Sequence, residues 1–352
     1  MRILHTYCLN YNIGDYALGI GVKNLLRKYL PVEYIGETNI QGREFNEYYI
    51  TEVVNKKYDL LVIGGGGIIH GAHWPNGWFW LINKDLISKI KIPFIIYGVG
   101  FNYWEEEGMM PSHGIEHLIE TFNKSTFFSV RNDGSMQRIQ RQTGINANVI
   151  PDPGFHIDLN TNYDRLEPKD YVIIQLANDK PINRFGSLEK RDKFITEMRE
   201  IVNNISQKQK VIFIPHVIDD VELSNIIAKD INNTEVLDFG KFAFDHSDKM
   251  IGYYKYANYV IAMRGHGQII PIGFNVPVIA LENHPKHRGL MEELNLLDYN
   301  VKIDTENFLI DLKNKIELLI HNKKTLYTEY LKINEYLDKS SLNAFNTIKS
   351  KL

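Results

Sequence analysis

Two basic residues flanked by glycines follow a predicted buried strand in the second half of the chain. The apolar run 259–261 predicts the strand, and Arg264 and His266 follow it in the sequence Arg-Gly-His-Gly. An arginine guanidinium pairs with a carboxylate or a phosphate, and a histidine can move a proton near neutral pH. Glycine on both sides of His266 indicates a backbone that comes close to another group. The pattern predicts a site that binds a small anion and acts on it by acid–base chemistry.

A second group of basic residues follows the next predicted strand. The apolar run 277–281 predicts that strand, and Lys286, His287 and Arg288 come after it. Ligands of open α/β sheets bind at the edge formed by the carboxyl ends of the strands. We therefore expect the basic residues of both segments at one edge of a parallel sheet, although exposed residues such as Lys286 and Arg288 are often only solvated.

The composition excludes several classes of function. A chain of 352 residues exceeds the usual size of one core, so we expect two domains. The net charge of -3 provides no basic field for nucleic acid or for an anionic membrane. The single cysteine, Cys8, cannot form an internal disulfide and fits a reducing compartment.

The hydrophobic segments predict a cytoplasmic protein. The residues after Met1 are too polar for the apolar core of a signal peptide. No apolar stretch approaches the ~20 residues that a membrane helix requires, so we expect no transmembrane segment. The oligomeric state, including a homo-oligomer, stays open.

Short apolar runs alternate with helical patterns along most of the chain, which is typical of a doubly wound α/β sheet. The polar stretch 158–170 is the best linker, and the same alternation restarts after it. We predict an N-terminal Rossmann-like domain over 1–160 as the acceptor side, a C-terminal one over 170–304 as the donor side, and C-terminal helices over 305–352. The simplest architecture places the two domains face to face across a cleft, followed by a helical tail.

The stretch from Asn12 to Asp15 lies between the first predicted strand and the first predicted helix. Gly14 permits a tight turn, and Asp15 is a candidate N-cap of the helix predicted over 17–30. The stretch is either a well-capped turn or a loop whose polar groups meet ligand hydroxyls.

A run of glycines, 64–67, follows another predicted strand. Gly65 and Gly66 would allow a phosphate or a sugar to approach the backbone closely. The run lacks the third glycine of a dinucleotide-binding fingerprint and the lysine of a phosphate-binding loop. His70 and His73 follow, but no carboxylate or further ligand stands in register, so we predict no metal site.

Two further polar residues follow predicted strands in the first half of the chain. Arg131 comes directly after the run 127–130, and Asp152 lies in a Pro-Asp-Pro-Gly turn. Each has a structural alternative, because Arg131 could form a surface ion pair and Asp152 could anchor the turn. Their positions at strand ends favour a site for both.

The order of these stretches resembles the polysaccharide pyruvyl transferase family. The elements that carry the resemblance are the Asn-x-Gly-Asp turn 12–15, the glycine run 64–67, the Gly-Val-Gly turn 98–100, the Arg-x-x-x-Ser element 131–135, the Pro-Asp-Pro turn 151–153 and the basic segment 264–288. The hallmark of the family is an Arg-Leu-His triplet before a helix. This chain has Gly265 in place of the leucine, which puts the donor geometry or the substrate in question.

The resemblance implies a glycosyltransferase-B-like fold and transfer of pyruvate from phosphoenolpyruvate onto a sugar as a cyclic ketal. It implies that Arg131, Arg264 and His266 bind or act on phosphoenolpyruvate and that Lys286 assists. The acceptor would be a sugar or a lipid-linked or oligosaccharide precursor of an exopolysaccharide, a capsule or the cell wall. No metal or organic cofactor is required.

This chemistry assigns roles to the predicted site residues. His266 is the candidate general acid that protonates the methylene carbon of the donor. Asp15 and Asp152 are both candidates for the base that activates the sugar hydroxyl. Two alternatives stay open: a nucleotide-sugar glycosyltransferase on the same fold, with His266 as base, and a non-catalytic glycan-binding protein.

Overall fold

Each half of the chain forms its own six-stranded parallel sheet. The computed structural model describes residues 1–71, 74, 76–102, 109–158, 170–240 and 247–352. The chain divides into two units, and each includes a short segment from the other half of the chain. The first unit comprises 1–10, 18–156 and 336–352, and the second unit comprises 11–17 and 157–335.

The sheet of the first unit has the strand order β2-β1-β3-β4-β5-β6. Its strands are β1 (Arg2–Tyr7), β2 (Tyr34–Asn39), β3 (Leu60–Ile69), β4 (Phe94–Phe101), β5 (Phe127–Arg131) and β6 (Asn148–Ile150). β3 and β4 are near-continuous apolar runs, buried along almost their whole length. Strands in the middle of a parallel sheet require this pattern, because helices cover both faces of the sheet.

The glycine run of the first unit lies inside a strand, so the prediction that it follows the strand is wrong. β3 continues through Gly64 and Gly66, which pair with Tyr97 and Val99 of β4. Both glycines have a positive φ, 111° and 110°. A Cβ on Gly64 would lie 2.5 Å from the carbonyl oxygen of Tyr97. Glycine therefore lets the two strands stay paired in a backbone conformation that other residues rarely adopt.

The helices of the first unit begin with α1, which starts earlier than the sequence pattern predicts. α1 begins at Ile13, because the Asn12 side chain accepts a hydrogen bond from the Gly14 amide at 2.8 Å. Asn12 therefore caps the helix, and Asp15 lies in its first turn, where a carboxylate is favoured by the helix dipole. The helices are α1 (Ile13–Tyr29), a π-helical turn (Tyr49–Val54) that continues as α2 (Asn55–Lys57), α3 (Lys84–Ile87), α4 (Ser112–Lys124), α5 (Ser135–Thr143) and a 3-10 turn (Pro153–Phe155).

The sheet of the second unit has the strand order β12-β11-β10-β7-β8-β9. Its strands are β7 (Tyr171–Gln175), β8 (Lys210–Phe213), β9 (Thr234–Val236), β10 (Val260–Ala262), β11 (Val278–Glu282) and β12 (Asn300–Lys302). Its helices are α6 (Pro181–Phe185), α7 (Leu188–Ser206), α8 (Asp219–Ala228), α9 (Ser247–Lys255), α10 (Gly265–Gly273), α11 (Pro285–Glu293), a 3-10 turn (Leu297–Tyr299) and α12 (Phe308–Lys349). The restart of the alternating pattern after residue 170 is confirmed, while most of the predicted linker lies outside the described residues.

The C-terminal tail is one helix of 42 residues, α12, and not a separate set of helices. From Tyr336 onward it belongs to the first unit. There its buried face, including Phe345 and Ile348, joins a core that contains Ile3 of β1. The tail therefore completes the apolar core of the first unit. Among the described helices, none combines the length and the apolar character that a membrane span needs.

Candidate active site

The carboxyl ends of adjacent strands in the second unit bring together the charged residues of the candidate site. β11, β10, β7 and β8 are neighbours in the sheet. Asn283 follows β11, Arg264 follows β10, Asp179 follows β7, and His216 and Asp220 follow β8. All of these residues lie in loops or first helical turns at the sheet edge where α/β proteins bind ligands.

Arg264 is held by a carboxylate that is inaccessible to solvent. Its Nε and Nη2 atoms donate to the two oxygens of Asp220 at 2.7 and 2.6 Å, and Asp220 is 0% exposed. The Arg264 amide donates to the side-chain oxygen of Gln175 at 2.8 Å. Two parallel N–H···O bonds fix the guanidinium plane as well as its position. The buried Asp220 carboxylate therefore orients Arg264, a site residue that the sequence predicts.

A second carboxylate, Asp179, joins Arg264 to another arginine. The Nη2 atoms of Arg264 and of Arg184 both donate to the Asp179 carboxylate. Burial lowers the pKa of the Arg264 guanidinium, but the charges of Asp220 and Asp179 outweigh it and the net pKa is raised. Burial likewise raises the pKa of Asp179, but the two arginines outweigh it and lower that pKa. Arg264 and Asp179 are therefore both charged at neutral pH.

His266 lies in the first turn of α10. α10 begins at Gly265, directly after Arg264 in the N-cap position. The ring of His266 packs against the backbone of Gly14, where a Cβ would lie 2.8 Å from the ring Cγ. Glycine at position 14 is thus required by the close approach of the histidine. Asn12, Asp15, Arg264 and His266 all belong to the second unit.

His216 connects the turn around Gly14 to Asp220. Its carbonyl accepts a hydrogen bond from the Ile13 amide at 3.0 Å, and its own amide donates to Asp220 at 3.0 Å. Its Nε2 lies 2.7 Å from the Tyr254 hydroxyl. Burial, followed by the charges of Arg264 and His266, lowers the pKa of His216 well below its usual value. The His216 imidazole is therefore neutral. Asp220, which orients Arg264, also holds the His216 backbone that binds the turn around Gly14.

Replacing Gly14 by alanine should lower turnover by about tenfold or more, because the new methyl group would displace the His266 ring. The matched control is Gly265→Ala, since a Cβ on Gly265 meets no described atom within 4 Å. The control should keep its activity and gain as much as about 1 kcal/mol of stability from the better helix former. Turnover and thermal unfolding measure the two effects. Equal activity of both variants would mean that the contact does not position His266.

Lys286 and Arg288 lie on α11 and differ in their surroundings. The Lys286 amide donates to the side chain of His284, which caps the helix, at 3.2 Å. Arg288 is exposed and forms an ion pair with Glu292, one helical turn further on, at 2.9 Å. His287 between them is buried. The five basic residues of this region therefore do not form one surface, and the binding roles of Lys286 and Arg288 stay predictions.

Arg131 and Asp152 form a buried ion pair in the first unit. Arg131 donates to Asp133 at 2.7 Å and to Asp152 at 3.1 Å, and it is 5% exposed. Burial lowers the pKa of Arg131, but the two carboxylates outweigh it and the net pKa is raised. A Cβ on Gly100 would lie 2.6 Å from Cζ of Arg131, so the guanidinium lies against β4. Its role in binding the donor stays a prediction.

Asp152 caps the 3-10 turn that follows β6. Its carboxylate accepts a hydrogen bond from the Gly154 amide at 2.8 Å, and its amide donates to Asn132 at 2.9 Å. Gly65 lies against the same turn, since a Cβ there would be 3.2 Å from Pro153. Gly65, Gly66, Arg131 and Asp152 thus all belong to the first unit.

Sequence reasoning missed four residues of the network in the second unit: Asp179, Arg184, His216 and Asp220. The signal was present, because His216 follows β8 closely and Asp179 follows β7. These residues stand in ordinary polar stretches, with no glycine pattern to distinguish them. Only the order of the strands shows that the loops after β7, β8 and β10 are neighbours.

Within the described part of the chain, no three His, Cys, Asp or Glu side chains come together as a metal site. His73 and the aromatic stretch 103–107 lie outside the described residues. Trp78 and Trp80 are buried in the core of the first unit and therefore present no surface to a sugar.

Solved structures with a similar fold are sugar-nucleotide enzymes with low sequence identity to this chain. A putative UDP-N-acetylglucosamine 2-epimerase from Listeria monocytogenes matches with a TM-score of 0.59 at 11% identity, over 98% of this chain and 94% of that one. UDP-GlcNAc 2-epimerase from Neisseria meningitidis matches with a TM-score of 0.57 at 11% identity, over 99% of both chains. The enzyme from Methanocaldococcus jannaschii gives 0.55 at 12% identity, over 90% and 92%. These likenesses confirm the predicted glycosyltransferase-B-type fold.

Sequence comparison identifies the family. No curated protein matches the chain by sequence. A sequence model of the family described as polysaccharide pyruvyl transferase matches residues 12–285, from the cap of α1 to the first residue of α11. The match includes Arg131, Arg264 and His266 and ends just before Lys286. The resemblance inferred from the motifs is confirmed, and the chain belongs to the polysaccharide pyruvyl transferase family.

Proposed function

We propose that the protein transfers the pyruvyl group of phosphoenolpyruvate onto a sugar of a glycan or glycan precursor, as a cyclic ketal, and releases phosphate. The observation that carries the proposal is that Arg264 and His266 lie on one helix start, with His266 against Gly14 of the Asn12–Asp15 turn, in a chain from this family. An oriented guanidinium recognises an anion, and an imidazole beside it can deliver a proton.

The reaction needs one proton for carbon and loses one proton from each of two sugar hydroxyls. His266 protonates the methylene carbon of the donor, which leaves an electrophilic centre at C2. One sugar hydroxyl attacks C2 and gives up its proton to a base. The second hydroxyl then attacks C2, the bond to the phosphate oxygen breaks, and the phosphate leaves with the remaining proton. The products are the ketal and inorganic phosphate.

Asp15 suits the role of base better than Asp152 does. Asp15 lies in the first turn of α1, next to the glycine that contacts His266, and it is partly exposed. Asp152 is buried and its carboxylate accepts bonds from Arg131 and from the Gly154 amide. A base must meet the sugar hydroxyl directly or through one water. We therefore assign the donor and the base, Asp15, to the second unit.

We propose that the enzyme is cytoplasmic. The lone cysteine, Cys8, is buried, and a chain with one cysteine cannot form an internal disulfide, which supports a reducing compartment. The reaction proposed here uses only groups of the protein and its two substrates.

Incubation of the purified protein with phosphoenolpyruvate and a panel of galactosides, glucosides and mannosamine derivatives tests the proposal. Mass spectrometry should show an acceptor that gains the mass of pyruvic acid less one water, with one phosphate released per ketal. Phosphoenolpyruvate should also raise the unfolding temperature, as any ligand of the native state does.

The outcomes separate the alternatives. Two of the proteins with a similar fold are described as UDP-GlcNAc 2-epimerases bound to UDP-GlcNAc. UDP-sugars are therefore tested alongside phosphoenolpyruvate. Stabilisation by a UDP-sugar without stabilisation by phosphoenolpyruvate would replace the proposal with a nucleotide-sugar glycosyltransferase. Glycan binding with neither ketal nor phosphate release would indicate a non-catalytic glycan-binding protein.

A further inference from the structure

Two arginines of the second unit converge on a single carboxylate. The Nη2 atom of Arg184 donates to both oxygens of Asp179, at 3.0 and 2.9 Å, and Nη2 of Arg264 donates to one of the same oxygens. Paired arginines around two coplanar oxygens are the arrangement that recognises a carboxylate or a phosphate. Asp179 thus occupies the position that the anion of a ligand would take.

The two carboxylates that contact Arg264 differ in exposure and in the number of bonds they accept. The Asp220 side chain is 0% exposed and accepts bonds from the amides of Asn178, His216 and Val217 as well as from Arg264. The Asp179 side chain is 31% exposed, and within the described residues its carboxylate accepts bonds from the two arginines alone. Asp220 is therefore a fixed structural partner of Arg264, whereas the more exposed Asp179 carboxylate can be displaced by a ligand.

Each arginine keeps a separate anchor when the Asp179 side chain moves away. The Nε of Arg184 donates to the backbone carbonyl of residue 179 at 2.8 Å, and its Nη1 donates to the side-chain oxygen of Asn283. Asp220 holds Arg264. The two guanidinium groups therefore stay close together without the Asp179 carboxylate.

We propose that Arg184 and Arg264 form a clamp for the carboxylate or phosphate group of the anionic substrate, and that Asp179 fills this clamp until the substrate displaces it. The proposal rests on the proposed function for the identity of the anion. Because Asp179 carries a like charge, its carboxylate repels the entering anion and lowers its affinity. Arg184 is then a binding residue of the donor site.

The variant Asp179→Asn tests the clamp, since it removes the charge and keeps the size. Titration calorimetry with phosphoenolpyruvate and, separately, with inorganic phosphate should show binding that is about tenfold tighter than in the wild type. Asp192→Asn is the matched control, because it removes one charge from the same unit at a side chain that is 76% exposed. The control should bind both anions as the wild type does.

Arg184→Gln should have the opposite effect and weaken both anions by about tenfold or more. Asp179→Ser repeats the first test with a smaller side chain, in case the asparagine variant does not fold; circular dichroism verifies folding. Unchanged or weaker binding of both anions by a folded Asp179 variant would overturn the proposal.

The same titrations keep this inference separate from the proposed function. Ketal formation by the wild type without tighter binding in the Asp179 variants would reject the clamp and leave the transferase. Tighter phosphate binding in these variants without ketal formation would support the clamp and reject the transferase.

Discussion

Replacing His266 by glutamine should lower kcat for phosphate release by roughly 10²- to 10⁴-fold, the range for loss of a general acid. Glutamine retains a similar length and a hydrogen-bond donor but cannot deliver a proton to carbon. Affinity for phosphoenolpyruvate should change by only a few-fold, because Arg264 and its carboxylate Asp220 remain in place. Steady-state phosphate release and titration calorimetry measure the two quantities.

His321→Gln is the matched control for this variant. His321 lies exposed on α12 in the same unit, so the substitution should leave both kcat and affinity unchanged. Near-normal turnover of His266→Gln would exclude His266 as the acid. An equal loss of affinity and turnover would instead make it a residue that binds the donor.

Replacing Asp220 by alanine should destabilise the protein by about 3 kcal/mol or more, because it removes the buried carboxylate that pairs with Arg264. The substitution also leaves the amides of Asn178, His216 and Val217 without their acceptor, and the buried His216 amide by itself adds about 1 kcal/mol or more. Urea unfolding measures the loss, and calorimetry should show weaker donor binding because Arg264 is no longer oriented.

Asp219→Ala provides the comparison for Asp220→Ala. Asp219 is adjacent and exposed in the first turn of α8, so its loss should cost less than about 1 kcal/mol. If the Asp220 variant unfolds at the same urea concentration as the wild type, the Arg264–Asp220 ion pair does not stabilise the second unit. If it also binds the donor normally, Asp220 does not position Arg264.

The local pattern of the sequence was enough for most of the strands and helices. The apolar runs of β7 and β10 are short and continuous, because both faces of a parallel sheet are covered. α7 lies at the bounds that its amphipathic pattern predicts, since Ser187 caps it and its apolar residues recur on one face. These features depend on neighbours along the chain, so the sequence contains them directly.

The glycines show where local patterns were insufficient. The run 64–67 reads as a loop by composition, yet it is part of β3 because β4 pairs with it. Gly14 has the sequence pattern of a turn residue, but glycine is required there because the His266 ring, distant in the sequence, leaves no room for a Cβ. In both cases a distant segment sets the conformation, and no local propensity indicates it.

Sequence patterns were sufficient to infer the family and the parallel α/β architecture and to predict Arg264 and His266 as site residues. They were sufficient because residue types, their order and the positions of strand ends can all be read along the chain. The identity of the carboxylates that face Arg264 depends on the tertiary structure, since Asp179 and Asp220 come from loops that meet through the strand order. The tertiary structure also pairs Arg131 with two carboxylates of the first unit, Asp133 and Asp152. Charge pairing depends on distance in space, and the sheet topology alone sets that distance.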